Sequence, residues 1–542
     1  MAAASSTTFG RWGTPPHPVE LSYAAEEFLG TTLGTPRPRP PHSQADVVVP
    51  PGRLTGDQLA ALGGLVSPNG VSTAAGDRLG HSAGCSLTDY LTLRAATPDA
   101  IPDAVVRPAD HAMVLALLRY CADAEIAVVP YGGGTSVVGG VTAPTPGPRI
   151  AVAFDLMSDI LSIDDDSLVV TVQPGITGPV LERVLQTRGL TWGHLPQSWE
   201  RASIGGYVAT RSAGQASTGY GRSDETVEAL RVATPTGEFV LGRAPHSAAG
   251  PDLRQLFIGS EGALGVITEV SLRVRRLPSV TRYEGLMFPS YAAGVAAFRD
   301  LAQSRVTADV MRLSDAPETH ATLHMSGPQG TAGDLFERYL SLRKVTGGCM
   351  AILGWEGYSK SFVSARRKAA WAILKDHGAV SLGRSVGDSW RRHRYDGPYL
   401  RDTLLDRGYI VETLETATHW ADLHHLREAV GDALVGALRS DGGDPYVMSH
   451  VSHVYETGAS LYFTVITPST DDPVAQWHGA KVAAMEAIAA QGATITHHHA
   501  VGRDHAPWLE AEIGPDGVAL LRGIKGLVDP TGTLNPGVLI PE

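Results

Sequence analysis

The sequence predicts an α+β fold with at least two domains. The chain has 542 residues and 43% hydrophobic content, which is more than one hydrophobic core usually organises. Short β-rich runs alternate with helical patterns over residues 101–278, and the alternation restarts after Pro278. We therefore expect an irregular N-terminal arm over 1–70, a first domain over 71–278, a second over 279–500, and a C-terminal segment over 501–542 that returns to the site of the first domain.

Hydrophobic spacing predicts the individual elements in order. The first 56 residues are rich in Pro, Gly and Ser, which indicates the irregular arm. In the first domain we predict strands at 126–129, 169–172 and 231–234 and helices at 111–124 and 178–188. In the second domain we predict helices at 295–303, 361–377, 420–438 and 474–491 and strands at 351–353, 410–413 and 461–466.

Composition excludes several classes of function. The formal net charge of −12 offers no basic surface for nucleic acid. No apolar run reaches about 18 residues, so we expect no membrane-spanning helix, and the N-terminus lacks the features of a secretory signal. The three cysteines have no metal-type spacing, which favours a reducing, cytoplasmic location.

A glycine-rich loop follows the strand at 126–129 and reads Pro130-Tyr131-Gly132-Gly133-Gly134-Thr135-Ser136. Successive glycines allow positive φ and a close approach of the backbone to a ligand. The N–H groups of such a loop form an anion-binding nest, to which the Thr and Ser hydroxyls add donors. The spacing matches neither a dinucleotide-binding fingerprint nor a P-loop. A pyrophosphate is the expected ligand, and a plain turn between strands is the alternative.

Three further segments combine glycine with hydroxyl residues. The second, 173–178, precedes a helix whose N-terminus favours anions. The third, 197–214, is dense in small side chains and suits a surface next to a flat ring. The fourth, 259–268, is a glycine-lined turn that leads into an apolar strand. Each segment alone also fits an ordinary turn.

Together and in this order, the four segments resemble the FAD-binding domain of the vanillyl-alcohol oxidase type of flavoproteins. The resemblance implies a two-subdomain FAD-binding domain plus an α+β cap (substrate) domain. It also implies that the first segment holds the pyrophosphate, the third lines the isoalloxazine, and the fourth passes the adenine and ribose. The implied cofactor-binding residues are Pro130, Tyr131, Gly132, Gly133, Gly134, Thr135, Ser136, Gln197, Ser198, Ser203, Gly206, Thr210, Arg211, Ser212, Ala213, Glu261, Gly262, Ala263, Leu264, Gly265, Val266 and Ile267.

We expect the FAD to be bound non-covalently. Members of the family that attach the flavin through a histidine place it after the glycine pair, where this chain has Thr135. Attachment through a thiol would need a cysteine in the four segments, and Cys85, Cys121 and Cys349 lie outside them.

From about residue 70 onward the chain resembles the alkyldihydroxyacetonephosphate synthase (alkylglycerone-phosphate synthase) family. The resemblance is carried by the segments 311–313, 398–402, 455–463 and 496–503, the last of which contains three consecutive histidines. It implies exchange of the acyl group of an acyl-dihydroxyacetone phosphate for a fatty alcohol, through a flavin N5 adduct and with no net redox change. The chain departs from the family pattern at two positions of the last segment, where Ala500 stands in place of the usual glycine and Arg503 in place of a lysine.

The resemblance implies a role for each of six residues. His498 is the candidate base, flanked by His497 and His499, because histidine titrates near neutral pH. Tyr462 matches the proton-handling tyrosine. Arg401 matches the arginine that binds the substrate phosphate, which a guanidinium meets in a bidentate way, and Arg312 matches a further arginine required for activity.

Other interpretations of these residues stay open. Tyr462 also fits core packing in a strand, and Arg401 also fits a structural ion pair with Asp402 or Asp406. The histidines also fit a solvent-facing cluster. We predict no metal site, because neighbouring residues on a strand point to opposite faces and at most two of the histidines would share an ion.

The expected partners are a small-molecule or lipid-phosphate substrate, no nucleic acid, a peripheral membrane contact and, as often in the family, a second copy of the chain. Two other functions stay open. One is FAD-dependent oxidation of a 2-hydroxy acid of the D-lactate or glycolate type, with Arg401 or Arg312 binding the carboxylate. The C-terminal sequence Asn535-Pro536-Gly537 is closer to such dehydrogenases. The other is a flavin-binding scaffold without catalysis.

Overall fold

The computed structural model describes residues 9–13, 19–142, 147–439 and 443–541. The helices are α1 (Tyr23–Leu33), α2 (Gly56–Leu65), α3 (Ala75–Gly80), α4 (Leu87–Arg94), α5 (His111–Asp123), α6 (Gly178–Thr187), α7 (Ile204–Ala209), α8 (Ser217–Tyr220), α9 (Ser223–Thr226), α10 (Arg254–Phe257), α11 (Tyr291–Gln303), α12 (Ala316–Ser326), α13 (Gly330–Leu342), α14 (Lys360–Asp376), α15 (Arg384–His393), α16 (Gly397–Asp406), α17 (Leu423–Leu438), α18 (Pro473–Ala490) and α19 (Leu509–Val528).

The strands form several separate sheets. They are β1 (Val71–Ser72), β2 (Ala104–Val106), β3 (Ala127–Tyr131), β4 (Arg149–Ala153), β5 (Ile160–Asp164), β6 (Val169–Val172), β7 (Leu190–Thr191), β8 (Val227–Thr234), β9 (Gly237–Leu241), β10 (Val266–Arg273), β11 (Arg275–Arg276), β12 (Val280–Phe288), β13 (Val310–Ser314), β14 (Cys349–Gly357), β15 (Val380–Gly383), β16 (Tyr409–His419), β17 (Tyr446–Val454) and β18 (Gly458–Pro468). All the helices and strands predicted from hydrophobic spacing are present, with ends shifted by a few residues.

The described chain forms two compact units, each assembled from separate stretches of sequence. We call the first the loop unit, because it holds the glycine-rich loop; it comprises Pro41–Gly214, Gly221–Leu277 and His498–Glu542. We call the second the sheet unit, because it is built on one large sheet; it comprises Met1–Pro40, Gln215–Tyr220 and Pro278–His497. The units divide within the triple histidine, so His498–Ala500 lie in the loop unit and not in the second domain, where the sequence analysis had placed them.

The loop unit contains two larger sheets, as expected for two subdomains. The first has the order β1-β2-β4-β3, with β2, β4 and β3 parallel. Helix α5 begins where Asp110 accepts a hydrogen bond from the N–H of Met113 at 2.8 Å, and its apolar residues Val114, Leu117 and Leu118 are buried in the core of this sheet. Parallel strands joined through helices bury both faces, which explains the near-continuous apolar runs at 126–129 and 150–152.

The second sheet of the loop unit is antiparallel and has the order β5-β6-β10-β8-β9. Helices α6 and α7 bury Leu181, Leu185, Ile204 and Val208 in its core. These two helices begin in the second and third glycine-containing segments, so the packing of their apolar faces fixes where those segments lie.

The sheet unit is organised by a seven-stranded sheet with the order β15-β12-β14-β13-β17-β18-β16. Every neighbouring pair of its strands is antiparallel. Helix α17 packs on β16, β17 and β18, and helix α18 packs on α17. The two units together confirm the predicted α+β fold.

The prediction of an irregular arm over 1–70 is wrong for much of that range. Helix α1 begins at a Ser22 cap and buries Phe28, Leu29 and Leu33 against Leu404 and other residues of the sheet unit. Helix α2 begins at a Thr55–Gln58 capping box. The proline-rich stretch at 36–41, between these helices, is irregular as predicted. Residues 1–8 and 14–18 lie outside the described residues.

The C-terminal segment 501–542 was expected to return to the site of the first domain, and its described residues do lie in the loop unit. Its residues Thr533–Asn535 extend the β3 edge of the first sheet: the N–H of Val128 donates to the carbonyl of Thr533 at 2.9 Å, and the N–H of Asn535 donates to the carbonyl of Val128 at 2.8 Å. The segment also contains α19, which the sequence analysis did not predict.

Replacing Leu62 with alanine tests whether α2 belongs to the core. Leu62 is fully buried beside Val106 and Val114, so L62A should lower the free energy of unfolding by about 3 kcal/mol through lost burial and a cavity. Denaturant unfolding measures this loss. The control is L156A, because Leu156 is 52% exposed and its loss should cost no more than about 0.5 kcal/mol. Equal effects of the two substitutions would contradict the placement of α2.

Candidate functional site

The glycine-rich loop in the loop unit packs directly on the third segment. A Cβ at Gly132 would lie 2.3 Å from Oγ of Ser203, and a Cβ at Gly133 would lie 2.1 Å from the carbonyl oxygen of Arg201. No side chain fits at either distance. The two glycines are therefore required by close packing of one backbone against another, not only by the turn.

The second and third segments also meet. The N–H of Ile204 donates to the carbonyl of Ile176, and the N–H of Gly205 donates to the carbonyl of Pro174, at 2.9 and 2.8 Å. A Cβ at Gly178 would lie 2.7 Å from the ring of Trp199. Helices α6 and α7 consequently start side by side.

The fourth segment closes on the first. A Cβ at Gly262 would lie 2.6 Å from the ring of Pro130, and a Cβ at Gly140 would lie 2.9 Å from Oε1 of Glu261. The N–H of Glu261 donates to the carbonyl of Ala209 at 2.9 Å, which ties this segment to the end of α7. All four segments thus lie together in the loop unit. Their remaining predicted members, Ala263, Leu264, Gly265, Val266 and Ile267, form the buried start of β10 and the turn before it.

The loop itself presents a set of unused donors. Within the part of the chain that the structure describes, no acceptor takes the N–H groups of Gly133, Gly134, Thr135 or Ser136. Gly134 is buried and has φ +60°. Consecutive backbone N–H groups without acceptors suit an anion such as a pyrophosphate, so the residues present fit the phosphate part of FAD.

The rest of the third segment is held by local bonds. Ser203 caps α7 by accepting from the N–H of Gly206 at 3.3 Å, and the hydroxyl of Thr210 donates to the carbonyl of Gly206 at 2.9 Å. Arg211 pairs with Asp224 at 3.1 Å, so its guanidinium is anchored within the protein. Gln197, Ser198 and Ala213 lie in the same segment, before and after α7.

Ser212 contacts a histidine that the sequence analysis did not assign. Nε2 of His194 lies 3.1 Å from Oγ of Ser212. Burial lowers the pKa of His194 to about 3, and the charge of His498 acts in the same direction. His194 is therefore neutral at physiological pH, and the loop unit places it within electrostatic range of the predicted base.

Glu261 joins the fourth segment to the C-terminal segment. Its carboxylate accepts from the N–H groups of Gly502 and Val501 at 2.8 and 3.0 Å, and the Asn535 amide donates to its carbonyl at 2.7 Å. Burial raises the pKa of Glu261 to about 7, although the two backbone donors act in the opposite direction.

The three histidines are not on a strand, contrary to the premise of the sequence argument against a metal; residues 497–499 form bends. His498 and His499 are half-buried in the loop unit, with ring centroids 4.8 Å apart. His497 is buried in the sheet unit, where its Nε2 lies 2.7 Å from the hydroxyl of Tyr455 and its Nδ1 lies 3.5 Å from Oε1 of Glu415.

A second histidine faces the same carboxylate. His453 stacks on His497 with ring centroids 4.8 Å apart, and its Nε2 lies 4.0 Å from Oε1 of Glu415. Oγ of Ser452 donates to that oxygen at 2.7 Å. The register shift of β17 between Val451 and Val454 falls at these residues and brings successive side chains to one carboxylate. Imidazole and carboxylate are also metal ligands, and the predicted absence of a metal stays a prediction.

Tyr462 lies on β18, between two polar neighbours on the adjacent strands. It pairs with Glu415 of β16 and with His450 of β17, and residues in register across a sheet project from the same face. The ring of His450 stacks on the ring of Tyr462 at 4.8 Å and 21°. Spacing in the sequence assigns no role to His450.

His450 leads to Arg312 through Glu318. Oε1 of Glu318 lies 3.0 Å from Nδ1 of His450 and 2.6 Å from Nη2 of Arg312. Burial opposes ionisation of Glu318, but His450 and Arg312 lower its pKa by more, so the carboxylate is charged. Burial lowers the pKa of His450, with Arg312 acting in the same direction.

The same surroundings keep Tyr462 protonated. Burial raises the pKa of Tyr462 to about 12, with further contributions from Glu415 and Glu412, while a hydrogen bond with Thr413 acts in the opposite direction. Tyr462 is therefore a phenol at neutral pH, able to donate a proton but not to accept one.

Arg401 of α16 pairs with Glu412 of β16, with 3.2 Å between Nη2 and Oε2. The alternative partners considered from the sequence are engaged elsewhere: Asp402 accepts from the N–H of Trp12 at 2.8 Å, and Asp406 pairs with Arg11 at 2.7 Å. An ion pair is thus present, but with a different carboxylate. The pair holds the guanidinium in one place, and its predicted contact with a phosphate stays a prediction.

Comparison with known proteins identifies similar chains over most of this length. The family described as FAD binding domain matches residues 102–241, and that described as FAD linked oxidases, C-terminal domain, matches residues 277–539. An alkyldihydroxyacetonephosphate synthase of Trypanosoma brucei brucei is 32% identical over 481 residues, and one of Dictyostelium discoideum is 31% identical over 474; each alignment covers 86% of this chain and 77% of the relative. A solved structure of an alkyldihydroxyacetonephosphate synthase matches with a TM-score of 0.81 and 27% identity, over 95% of this chain and 91% of that one.

Glu261 should make stability depend on pH. Its folded pKa of about 7 lies above its ordinary value of 4.5, so between these values the folded state keeps a proton that the unfolded state has lost. The free energy of unfolding of the wild type should therefore fall, relative to E261Q, by about 3 kcal/mol as the pH rises from 4.5 to 7. Denaturant unfolding across this range measures the difference. The control E510Q changes an exposed carboxylate, so its free energy of unfolding should vary with pH as that of the wild type does. If the free energy of E261Q also followed the wild type across this range, the raised pKa of Glu261 would be contradicted.

Ala500 should be a strained position. It has φ +69°, in the left-handed region that costs a residue with a Cβ about 1 kcal/mol. We expect A500G to raise the free energy of unfolding by about this amount, as measured by denaturant unfolding. A124G is the control, because Ala124 has φ −96°, where glycine only adds freedom to the unfolded chain. Destabilisation by both substitutions would contradict the strain at Ala500.

Proposed function

Because the chain belongs to the alkyldihydroxyacetonephosphate synthase family, we propose that it exchanges the acyl group of an acyl-dihydroxyacetone phosphate for a fatty alcohol, with no net redox change. The observation that carries this proposal is the similarity over 86% of the chain at 31% and 32% identity. Only 14% of the chain lies outside that alignment. The alignment therefore includes both the glycine-rich loop and the strands of the seven-stranded sheet.

FAD is the cofactor, as the FAD-binding family over residues 102–241 indicates. We propose that the N–H groups of the loop at 132–136 bind its pyrophosphate and that the third segment lines its ring. When bound, FAD supplies an electron-poor ring that holds the substrate carbon while the acyl group is replaced. Non-covalent binding is supported by Thr135, which offers no imidazole, and by the burial of all three cysteines.

The chain's own residues handle the protons. We propose that His498 removes the proton from the carbon next to the ketone, which suits an imidazole near neutral pH. We propose that His497 supports this step through its contacts with Tyr455 and Glu415. We propose that Tyr462 acts as the acid that assists the departing carboxylate, because its hydroxyl carries a proton at neutral pH.

Two arginines supply fixed positive charge in the sheet unit. Glu318 holds Arg312 at 2.6 Å, and Glu412 holds Arg401 at 3.2 Å. We propose that Arg401 binds the substrate phosphate and that Arg312 orients His450 and Tyr462 through Glu318. A guanidinium that is already positioned loses less conformational entropy when it binds an anion.

We propose three further properties, which concern location, assembly and membrane contact. A cytoplasmic location is supported by the three free cysteines, and a homodimer by the family resemblance. In the described residues no helix is long and apolar enough to span a bilayer. A peripheral contact is supported by α13, which exposes Leu335 and Leu342 (66% and 82%) beside the exposed Arg338 and Arg343, a mixture that suits an anionic lipid surface.

An acyl-exchange assay tests the proposed function. FAD-reconstituted protein is incubated with palmitoyl-dihydroxyacetone phosphate and a long-chain alcohol, and we expect alkyl-dihydroxyacetone phosphate and free fatty acid in equal amounts while the flavin spectrum ends oxidised. Acid precipitation should release the FAD into the supernatant. Bleaching of the flavin by D-lactate or glycolate, with no acyl exchange, would instead favour the 2-hydroxy acid dehydrogenase.

Removing the hydroxyl of Tyr462 tests its role as an acid. We expect Y462F to lower kcat about a hundredfold or more, because general acid catalysis typically contributes that much, while KM and the flavin spectrum change little. Steady-state kinetics measure kcat and KM separately. The control is Y446F in β17, which removes another phenol whose pKa burial raises to about 12 and should keep near wild-type kcat. Equal kcat for Y462F and wild type would refute the role.

A further inference from the structure

A turn outside the four glycine-containing segments supports the glycine-rich loop from its carbonyl side. This turn, residues 81–86, joins α3 to α4 in the loop unit. The N–H of Cys85 donates to the carbonyl of Ser136 at 2.6 Å, and the hydroxyl of Tyr131 donates to the carbonyl of Ala83 at 2.9 Å. A Cβ at Gly84 would lie 2.5 Å from the Ser136 carbonyl oxygen, so the turn and the loop are in direct backbone contact.

Two side chains reach further carbonyls of the same loop. Sγ of Cys85 lies 3.3 Å from the carbonyl oxygen of Gly134, and Nη2 of Arg201 lies 3.5 Å from the carbonyl oxygen of Gly133. Nη1 of Arg201 also lies 4.0 Å from Sγ of Cys85. Three carbonyls of the loop, those of Gly133, Gly134 and Ser136, are therefore held by Cys85 and Arg201.

Unlike these carbonyls, four N–H groups of the loop have no partner in the described chain. Among the described residues, nothing accepts from Gly133, Gly134, Thr135 or Ser136. A peptide group joins the C=O of one residue to the N–H of the next and directs the two in opposite directions. Bonds to the carbonyls of Gly133 and Gly134 therefore also fix the direction of the N–H groups of Gly134 and Thr135. Donors aligned in advance bind an anion with less loss of entropy, and the guanidinium of Arg201 adds a positive charge beside them.

We propose that Cys85 and Arg201 are positioning residues for the pyrophosphate of FAD. They hold the carbonyl side of the glycine-rich loop, which keeps its N–H groups directed at the anion, and neither was among the cofactor residues expected from the sequence. This inference rests on the proposed binding of the pyrophosphate at the loop. It predicts a loss of affinity for ligands that carry a pyrophosphate and not for ligands that lack one.

The test compares the binding of FAD, ADP and adenosine to the full-length protein. Isothermal titration calorimetry on apo protein gives Kd for C85A, C85S, R201A and R201K. Loss of one hydrogen bond changes an equilibrium constant about three- to tenfold. We expect C85A and R201A to weaken FAD and ADP by that factor and adenosine by less than twofold. C85S and R201K, which keep a donor, should recover most of the affinity.

Matched variants separate this role from general stability. C121A removes another buried thiol of the loop unit, in α5. R254A removes another guanidinium that donates to backbone carbonyls, those of Val227 and Glu228 at 2.8 and 2.7 Å. Both should leave the three dissociation constants unchanged.

Two results would overturn the inference. One is C85A and R201A binding FAD and ADP as tightly as the wild type. The other is a loss for adenosine as large as the loss for ADP, which would show general damage to the unit. The outcome is independent of the proposed function: wild-type protein that binds FAD but exchanges no acyl group contradicts that function, whereas an active wild type with unaffected variants contradicts this inference.

Discussion

Close contact between backbones is the constraint on which the loop unit depends. Four segments far apart in sequence meet at distances that leave no room for a Cβ, at Gly132, Gly133, Gly178 and Gly262. The contact is made possible by the absence of side chains and is stabilised by the apolar cores of α5, α6 and α7, which place the ends of the segments. Because the backbones are fixed by packing, the N–H groups of the loop have set directions, which would lower the entropy cost of binding an anion there.

In the sheet unit the main constraint is the burial of charged and titratable side chains away from water. Burial alone would neutralise Glu318, yet Arg312 and His450 keep it charged. The charge then fixes His450, and the stacked ring of His450 fixes Tyr462. The register of β16, β18 and β17 places Glu415, Tyr462 and His450 side by side, so a regular ladder positions a row of titratable residues. Removing one partner from such a network usually costs more than the network contributes, because the other is left buried and unpaired.

Much of the site could be predicted, but for unequal reasons. The glycine-containing segments are local, and their order along the chain was sufficient to indicate a flavin. Arg312, Arg401, Tyr462 and the histidines were found through resemblance, since nothing in their spacing relates one to another. Glu318, Glu415 and Tyr455 were missed, because a carboxylate or phenol that organises a site has no local signature and differs from a surface residue only in its burial. His453 has no role that spacing assigns, since the shift in β17 that brings it to Glu415 is not visible in the sequence.

The sequence by itself determined the α+β class, the positions of the regular elements with strong periodicity, and the glycines that permit close approach, because these depend on each residue and its near neighbours. Only the tertiary structure decided that residues 23–33 and 56–65 are packed helices, that His497 and His498 belong to different units, and that Arg401 pairs with Glu412. These outcomes depend on which distant segment supplies the partner. Pairing between residues far apart along the chain is set by the packing of whole elements, a property that no local pattern contains.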